Sequence, residues 1–531
     1  TLLQDTEQAF VPPQSQVETT LATIWAEVLQ VKRVGRHDNF FSLGGDSILA
    51  IQLIGKAKQE NLQVTPGQLY RNPTIAELAQ VATSAVISSA IESELLTGEM
   101  PLTPIQHWLL EQNRPSLHHA NLALLLQAKR TLEPNLLKTA FQAVFDHHDV
   151  FRLRFEVQGS KVQQFFIDPG EEVNFKRVDL SAQLQEKQHP TIEEISNEVQ
   201  RSLNLSAGPL LRAVWFDLGP TRPARLLIVA HHLIVDGVSL RILVEDLQTT
   251  YHQLTQNVPI QLAAKTASYK AWSEQLAIRA RAHEVQRELT YWLETLPQQI
   301  SQLPSDYLNG VNSEASTKQV TRSFTKEETD CLLRKLPRSH DAQIHEILLA
   351  ALSHTLCNWM KNHSVLINLA AHGREAALSK LDITRTVGWF SSTYPAYFDL
   401  GNSRPLDQVL KQVTKMLRQV PNHGSSYGLL RYLCPDAASQ LRCLPRAEVG
   451  FNYFGQFDQS LSEHSLFQMA SESFGSIFAP EGTRTHVIDV TGFITRGVLQ
   501  INWVYSENLH HPATIATQAN LFMDQVRRLL F

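Results

Sequence analysis

The chain has 531 residues, with 47 Lys plus Arg against 52 Asp plus Glu and a formal net charge of -5. That length, far above the roughly 100–200 residues of one domain, predicts at least two units with separate cores. The mildly acidic balance offers no basic surface that would make nucleic acid or an anionic membrane the default partner.

The first predicted element is an amphipathic helix. Ser15-Gln16-Val17-Glu18 has the spacing of a capping box, and Val17, Leu21, Ile24, Trp25, Val28 and Leu29 recur on one helical face. A turn-rich stretch, Val34 to Asn39, leads to Phe40-Phe41 and then Leu43-Gly44-Gly45-Asp46-Ser47-Ile48, after which Ile48, Ile51 and Ile54 return to helical spacing. Thr74-x-x-Glu77, just after Pro73, predicts another short helix. From Thr83 to Thr97 the composition turns small and polar, and reads as a linker or mobile helix at a domain boundary. Beyond Pro101, strand-like runs such as Leu226 to Ala230 alternate with amphipathic helices such as Leu240, Leu243, Val244, Leu247 and Tyr251, a mixed α/β pattern.

Other classes of function lack their signals. The four cysteines, Cys331, Cys357, Cys434 and Cys443, have no C-x-x-C spacing, which argues against a disulfide framework or zinc ribbon and fits a reducing cytoplasm. No apolar run reaches the roughly 18 residues of a membrane span, and no signal-peptide layout opens the chain. There is no GxGxxG after a strand, no phosphate-binding loop and no metal cluster. The start at Thr1 and the abrupt end at Phe531 suggest a piece of a longer polypeptide.

Two segments carry chemistry. In Phe40-Phe41-x-Leu43-Gly44-Gly45-Asp46-Ser47, a serine stands at the mouth of a helix behind two glycines that would leave the backbone open to a bulky group. The positive helix end would favour a phosphodiester there, although Asp46 or Ser47 could equally serve only as a cap. The segment, and the unit from about Phe10 to Val81, resembles the peptidyl carrier proteins of nonribosomal peptide synthetases. That resemblance implies a four-helix bundle with 4′-phosphopantetheine on Ser47, and the Asp46 form is similar to carriers that precede epimerization domains.

In Ala230-His231-His232-Leu233-Ile234-Val235-Asp236-Gly237, two imidazoles stand at the end of an apolar strand, a position that can be held by the core and still reach substrate. On the residues alone, a structural histidine, a metal-site fragment or a helix cap remain alternatives. The pattern His-His-x-x-x-Asp-Gly resembles the hallmark of the condensation and epimerization superfamily. Membership implies two chloramphenicol-acetyltransferase-like lobes around a central tunnel, a catalytic His232, and mainly structural His231, Asp236 and Gly237. His118-His119 and His147-His148 are taken as structural or solvent-facing.

Six further segments resemble the epimerization branch: Pro104 to Trp108, His147 to Arg152, His372 to Glu375, Thr386 to Phe390, Tyr427 to Tyr432 and Phe451 to Gln456. Inversion beside a thioester needs one group to remove the α-proton and another to return a proton on the opposite face. In the family the second group is the first residue of Glu-Gly-His-Gly-Arg-Glu; here the segment reads Ala370-Ala371-His372-Gly373-Arg374-Glu375. Alanine cannot move a proton, so activity is expected to be impaired, by an engineered change or by natural divergence. Glu375 is expected to be structural, as are His372, Arg374 and Asn452, while Tyr453 is a candidate residual donor.

The resemblance therefore implies a carrier domain at 1–83, a linker at 84–97 and an epimerization domain at 98–531, with lobes at about 98–270 and 271–531. Its implied partners are an upstream adenylation domain, a downstream condensation domain, a phosphopantetheinyl transferase and an aminoacyl or peptidyl thioester, with the fragment itself monomeric. Amide-forming condensation and a catalytically silent docking platform are the alternatives.

Overall fold

Ser15 opens α1 (Gln16–Leu29) by accepting the Glu18 N–H on its hydroxyl at 3.1 Å. The reciprocal half of the expected box is diverted, because the Glu18 carboxylate accepts from the Gln14 N–H at 2.7 Å and pairs with Arg36 at 2.8 Å. The computed structural model describes residues 10–29, 31–84, 95–112, 114–159, 161–374, 381–401, 405–456 and 465–530. The predicted linker falls largely on residues 85–94, outside the described ones.

By backbone proximity the chain divides into two units, Thr1–Ala90 with Thr325–Ile344 and Leu530, and Ile91–Phe324 with His345–Leu529 and Phe531. The first contains α1 followed by α2 (Ser47–Gln59), α3 (Pro66–Arg71) and α4 (Ile75–Val81). Leu21, Trp25 and Val28 of α1 pack with Leu49, Leu53 and Ala57 of α2, Leu69 of α3 and Leu78 of α4. Trp25 meets Phe40 edge to face at 5.1 Å. Each large side chain fully withdrawn from water contributes about 1.5–3 kcal/mol, enough for so small a bundle to hold one core. Thr74 caps α4 as its spacing predicts, accepting the Glu77 N–H at 3.3 Å. A second box, Thr65 with Gln68, caps α3.

The second unit contains a small three-stranded sheet, formed by Gly98–Met100, Leu153–Gln158 and Lys161–Phe166, and two larger sheets. In chain order the strands of the two larger sheets are β1 (Asn121–Ala128), β2 (Asn174–Asp179), β3 (Leu211–Asp217), β4 (Arg225–His231), β5 (Thr317–Ser323), β6 (Ser364–Ala371), β7 (Ser392–Asp399), β8 (Val449–Gln456), β9 (Phe467–Met469), β10 (Ile488–Thr495) and β11 (Val498–Ser506). One sheet has the order β9-β1-β4-β3-β2 and the other β5-β11-β10-β8-β6-β7. Strand β9 thus follows strands of the second sheet in sequence yet pairs with β1 in the first, tying the two halves together.

Every residue of β4 is buried, as expected of an apolar strand in the middle of a sheet. It ends in a single 3-10 turn, His232–Ile234, before α5 (Gly237–Thr255), which buries Leu240, Leu243, Val244, Leu247 and Tyr251. Among the described residues no helix is long and apolar enough to cross a membrane.

Candidate active site

At the head of α2, Asp46 accepts the Leu49 N–H on its carboxylate at 2.9 Å, the ordinary work of an N-cap. The two glycines before it serve needs other than openness. Gly44 has φ +98°, and a Cβ on Gly45 would stand 2.4 Å from the Phe40 ring. Ser47 is the first residue of α2, where backbone N–H groups with no helical partner suit a phosphodiester.

The histidine pair divides its labour. His231 is fully buried; its Nε2–H donates to the Leu117 carbonyl at 2.7 Å and its Nδ1 accepts the Leu233 N–H at 3.1 Å. Both ring nitrogens are committed to backbone, and burial pushes the imidazole down to about 3, so it is a neutral structural pin.

His232 is half-buried. Its Nδ1 lies 2.9 Å from the Val235 carbonyl, which can only accept, so the proton sits on Nδ1 and the Nε2 lone pair is available as a base. The ring stacks on Trp389 with centroids 4.1 Å apart. Burial holds this imidazole below its ordinary value, the Val235 carbonyl opposing and the Arg114 charge adding to the effect.

Asp236, 3% exposed, caps α5 through the Ser239 N–H at 2.7 Å and accepts the Phe390 N–H at 3.1 Å. Its charge meets Arg374 at 3.3 Å. Arg374 is buried over the Phe390 ring and also donates to the Ile383 and Thr386 carbonyls at 2.8 and 2.9 Å. Desolvation lowers the guanidinium's pKa, and Asp236 works against that. Gly237, exposed, begins α5, and a Cβ there would meet only open space. Asp236 and Arg374 therefore lock the turn that holds His232 to the loop leaving β6.

His372 Nδ1 accepts the Arg374 N–H at 3.0 Å, shaping that loop. Gly373 has φ +67°, and a Cβ there would lie 1.8 Å from the Phe390 carbonyl oxygen, so the family glycine is obligatory. Glu375 lies outside the described residues. Ala370 pairs with Thr393 and Ala371 with Ser392, which stands three residues beyond the Trp389 that stacks on His232. A cavity lined by Ile105, Trp272, Trp389, Phe390, Ser392 and Tyr432 adjoins this segment.

Strand alternation sorts the remaining candidates. Asn368 pairs with Gly450 and Gly450 with Asp489; two residues on, Asn452 pairs with Thr491. Ala370 and Asn452 therefore share one sheet face with Asn368 and Asp489. Tyr453, the partner of Gly492, belongs to the opposite face, where a Cβ on Gly492 would meet Tyr453 Cδ2 at 3.2 Å and Leu348 at 3.7 Å. The structure does not bring Tyr453 to the face of Ala370.

His118 and His119 bond backbone, accepting the Leu205 N–H at 3.0 Å and meeting the Ser476 carbonyl at 2.7 Å, and His148 lies 2.9 Å from Asp246. Among the described residues no group of three or more His, Cys, Asp or Glu is placed to hold a metal ion.

Two known families match the chain. Residues 19–82 match the phosphopantetheine attachment site family and residues 96–530 the condensation domain family. The chain is 43% identical over 535 residues to one of the linear gramicidin synthase proteins of Brevibacillus parabrevis, covering 99% of this chain and 7% of that protein. It is 35% identical over 522 residues to gramicidin S synthase 1 of Brevibacillus brevis, covering 95% of this chain and 46% of that protein. The chain thus spans less than half the length of either relative.

Among solved structures, the epimerization domain from the third module of tyrocidine synthetase B superposes with TM-score 0.77 at 32% identity, covering 83% of this chain and 98% of that one. The first condensation domain of the calcium-dependent antibiotic synthetase shares the fold, with TM-score 0.64 at 16% identity over 82% of this chain and 97% of that one. The attachment domain implies a covalent 4′-phosphopantetheine group. With one match spanning the bundle headed by Ser47 and the other spanning the His232 turn, the chain belongs to the condensation domain family, joined behind a phosphopantetheine attachment domain as in nonribosomal peptide synthetases.

Proposed function

We propose that this chain is a carrier–epimerization didomain, with Ser47 as the attachment serine and His232 as the base that removes the α-proton of a carrier-bound L-aminoacyl or peptidyl thioester. The observation that carries the reading is the fixed tautomer of His232, with Nδ1–H given to Val235 and the Nε2 lone pair left to act. The likeness to the tyrocidine epimerization domain supports inversion over amide formation. The proposed boundaries are a carrier at 1–83, a linker at 84–97 and the epimerization domain at 98–531, with lobes at 98–270 and 271–531. Arg374, Asp236, His231, Gly237 and His372 hold the base in place; Ala370 and Asn452 line the face where the returning proton is needed.

Ala370 also favours a second reading, a platform that docks the loaded carrier without reacting, because the family's glutamate is missing. The proposed setting is a cytoplasmic synthetase with an adenylation domain upstream and a condensation domain downstream, the carrier modified by a phosphopantetheinyl transferase and the fragment itself monomeric.

Two outcomes test the reading. His232→Gln is expected to slow α-proton exchange about 10²–10⁴-fold, the usual contribution of a positioned base, measured as deuterium uptake by the L-aminoacyl-loaded chain. The working form of His232 is neutral and burial lowers its pKa, so exchange should persist below the ordinary 6.5 and fail only as the ring protonates at lower pH. A pH profile breaking at or above 6.5 would point to a different base.

A further inference from the structure

On the sheet face that carries Ala370 stands an imidazole–carboxylate pair outside the motifs above. His486, which is 9% exposed, places Nδ1 2.7 Å from Asp489 Oδ1, and its Nε2 lies 3.2 Å from Asn368 Nδ2. The carboxylate can only accept, so Nδ1 carries the proton and Nε2 accepts from the Asn368 amide. Asn368 precedes Ala370 by two residues on β6 and so points to the same side.

The sheet is built to admit this pair. A Cβ on Gly450 would stand 2.5 Å from Asp489 Oδ1 and 2.6 Å from His486 Nδ1. Asp489 is further held by Arg484 at 2.9 Å. Burial raises the Asp489 pKa, but His486, Arg484 and Arg114 outweigh it and hold the carboxyl ionised.

The same two segments frame His232 and His486. Ala120, whose carbonyl accepts the His232 N–H at 2.8 Å, bridges to Phe478. Arg114 lies 4.3 Å over that Phe478 ring, pairs with Glu314 at 2.9 Å, and donates to Thr485, the residue before His486, at 3.2 Å.

We infer that His486, oriented by Asp489, is the second proton-handling group of this chain and returns a proton to the α-carbon in the absence of a glutamate at position 370. This rests on the epimerization reading above. In the step, His232 Nε2 takes the α-proton from one face, and protonated His486 releases its Nε2 proton to the other. His232 is left cationic and His486 neutral, and exchange with water restores both. Turning the Asn368 amide end for end presents its oxygen to the protonated ring. Asp489 orients the ring; the other charges around it are Arg484, Arg114 and Glu314.

The test uses the full chain with Ser47 loaded with an L-aminoacyl-phosphopantetheine in deuterated water, following α-deuterium and D-product separately. His486→Gln is expected to cut D-product formation about 10²-fold or more while deuterium still enters the L-form through His232. In Asp489→Asn the ring loses the carboxylate that orients it, so D-product formation should fall while deuterium still enters the L-form. In an Ala370→Glu background the effect of His486→Gln should vanish. If His486→Gln melts early, the split between deuterium uptake and D-product in Asp489→Asn decides alone.

Inversion at the unmodified rate in His486→Gln, or exchange and inversion falling together, would overturn the inference while leaving the epimerization reading intact. No deuterium uptake by the unmodified chain, with or without Ala370→Glu, would end both.

Discussion

An Ala370→Glu variant is expected to form D-aminoacyl thioester about 10²–10⁴ times faster than the chain as it stands, equivalent to about 3–5 kcal/mol of transition-state stabilisation. Ala370 is the penultimate residue of β6, paired with Thr393 and half-buried, so a longer side chain extends from the strand end without overfilling a closed core. A carboxylate there would stand on the face of Asn368 and Asn452, two residues along the strand from the amide that meets His486. Ala370→Gln has the same length and cannot move a proton, so it should give no acceleration. Chiral analysis of the released amino acid reads both. Equal gains from Gln and Glu would mean that position 370 acts through shape alone.

Asp236→Ala should be among the most destabilising single changes in the second unit, costing about 3–5 kcal/mol, because it strands the buried Arg374 charge. It also removes the cap of α5 and leaves the Phe390 N–H without its acceptor. Removing both partners, Asp236→Ala with Arg374→Met, should cost less than Asp236→Ala alone, since no uncompensated charge remains. Urea unfolding measures the difference. Additive losses would show that the two residues act independently.

What the sequence disclosed was local. Ser15 and Thr74 announce their helices because capping depends on residues three apart, and the apolar run before His231 announces a strand wholly inside a sheet. The His-His-x-x-x-Asp-Gly pattern placed His232 beside its structural neighbours for the same reason: all lie within one turn.

Register was not legible. Tyr453 follows Asn452 in sequence, yet alternation puts them on opposite faces, and only the pairing with Gly492 reveals which face each takes. The pair His486 and Asp489 gave no signal, because two polar residues three apart are ordinary at a strand entrance. It gains meaning from Asn368, 118 positions away, and from the missing Cβ of Gly450 beneath it. The two glycines before Ser47 serve the backbone rather than openness, since one supplies a left-handed turn and the other makes room for Phe40. Strand β9 likewise joins a sheet whose other strands lie more than two hundred residues earlier, a pairing that no local pattern encodes.

The most direct measurement loads the chain with an L-aminoacyl-phosphopantetheine and follows the α-position by mass spectrometry in deuterated water. Deuterium should enter the loaded amino acid, should stop entering when His232 becomes Gln, and should fail to enter from the outset when Ser47 becomes Ala and no thioester can form. Uptake that persists in His232→Gln at the unmodified rate would contradict the account at its centre.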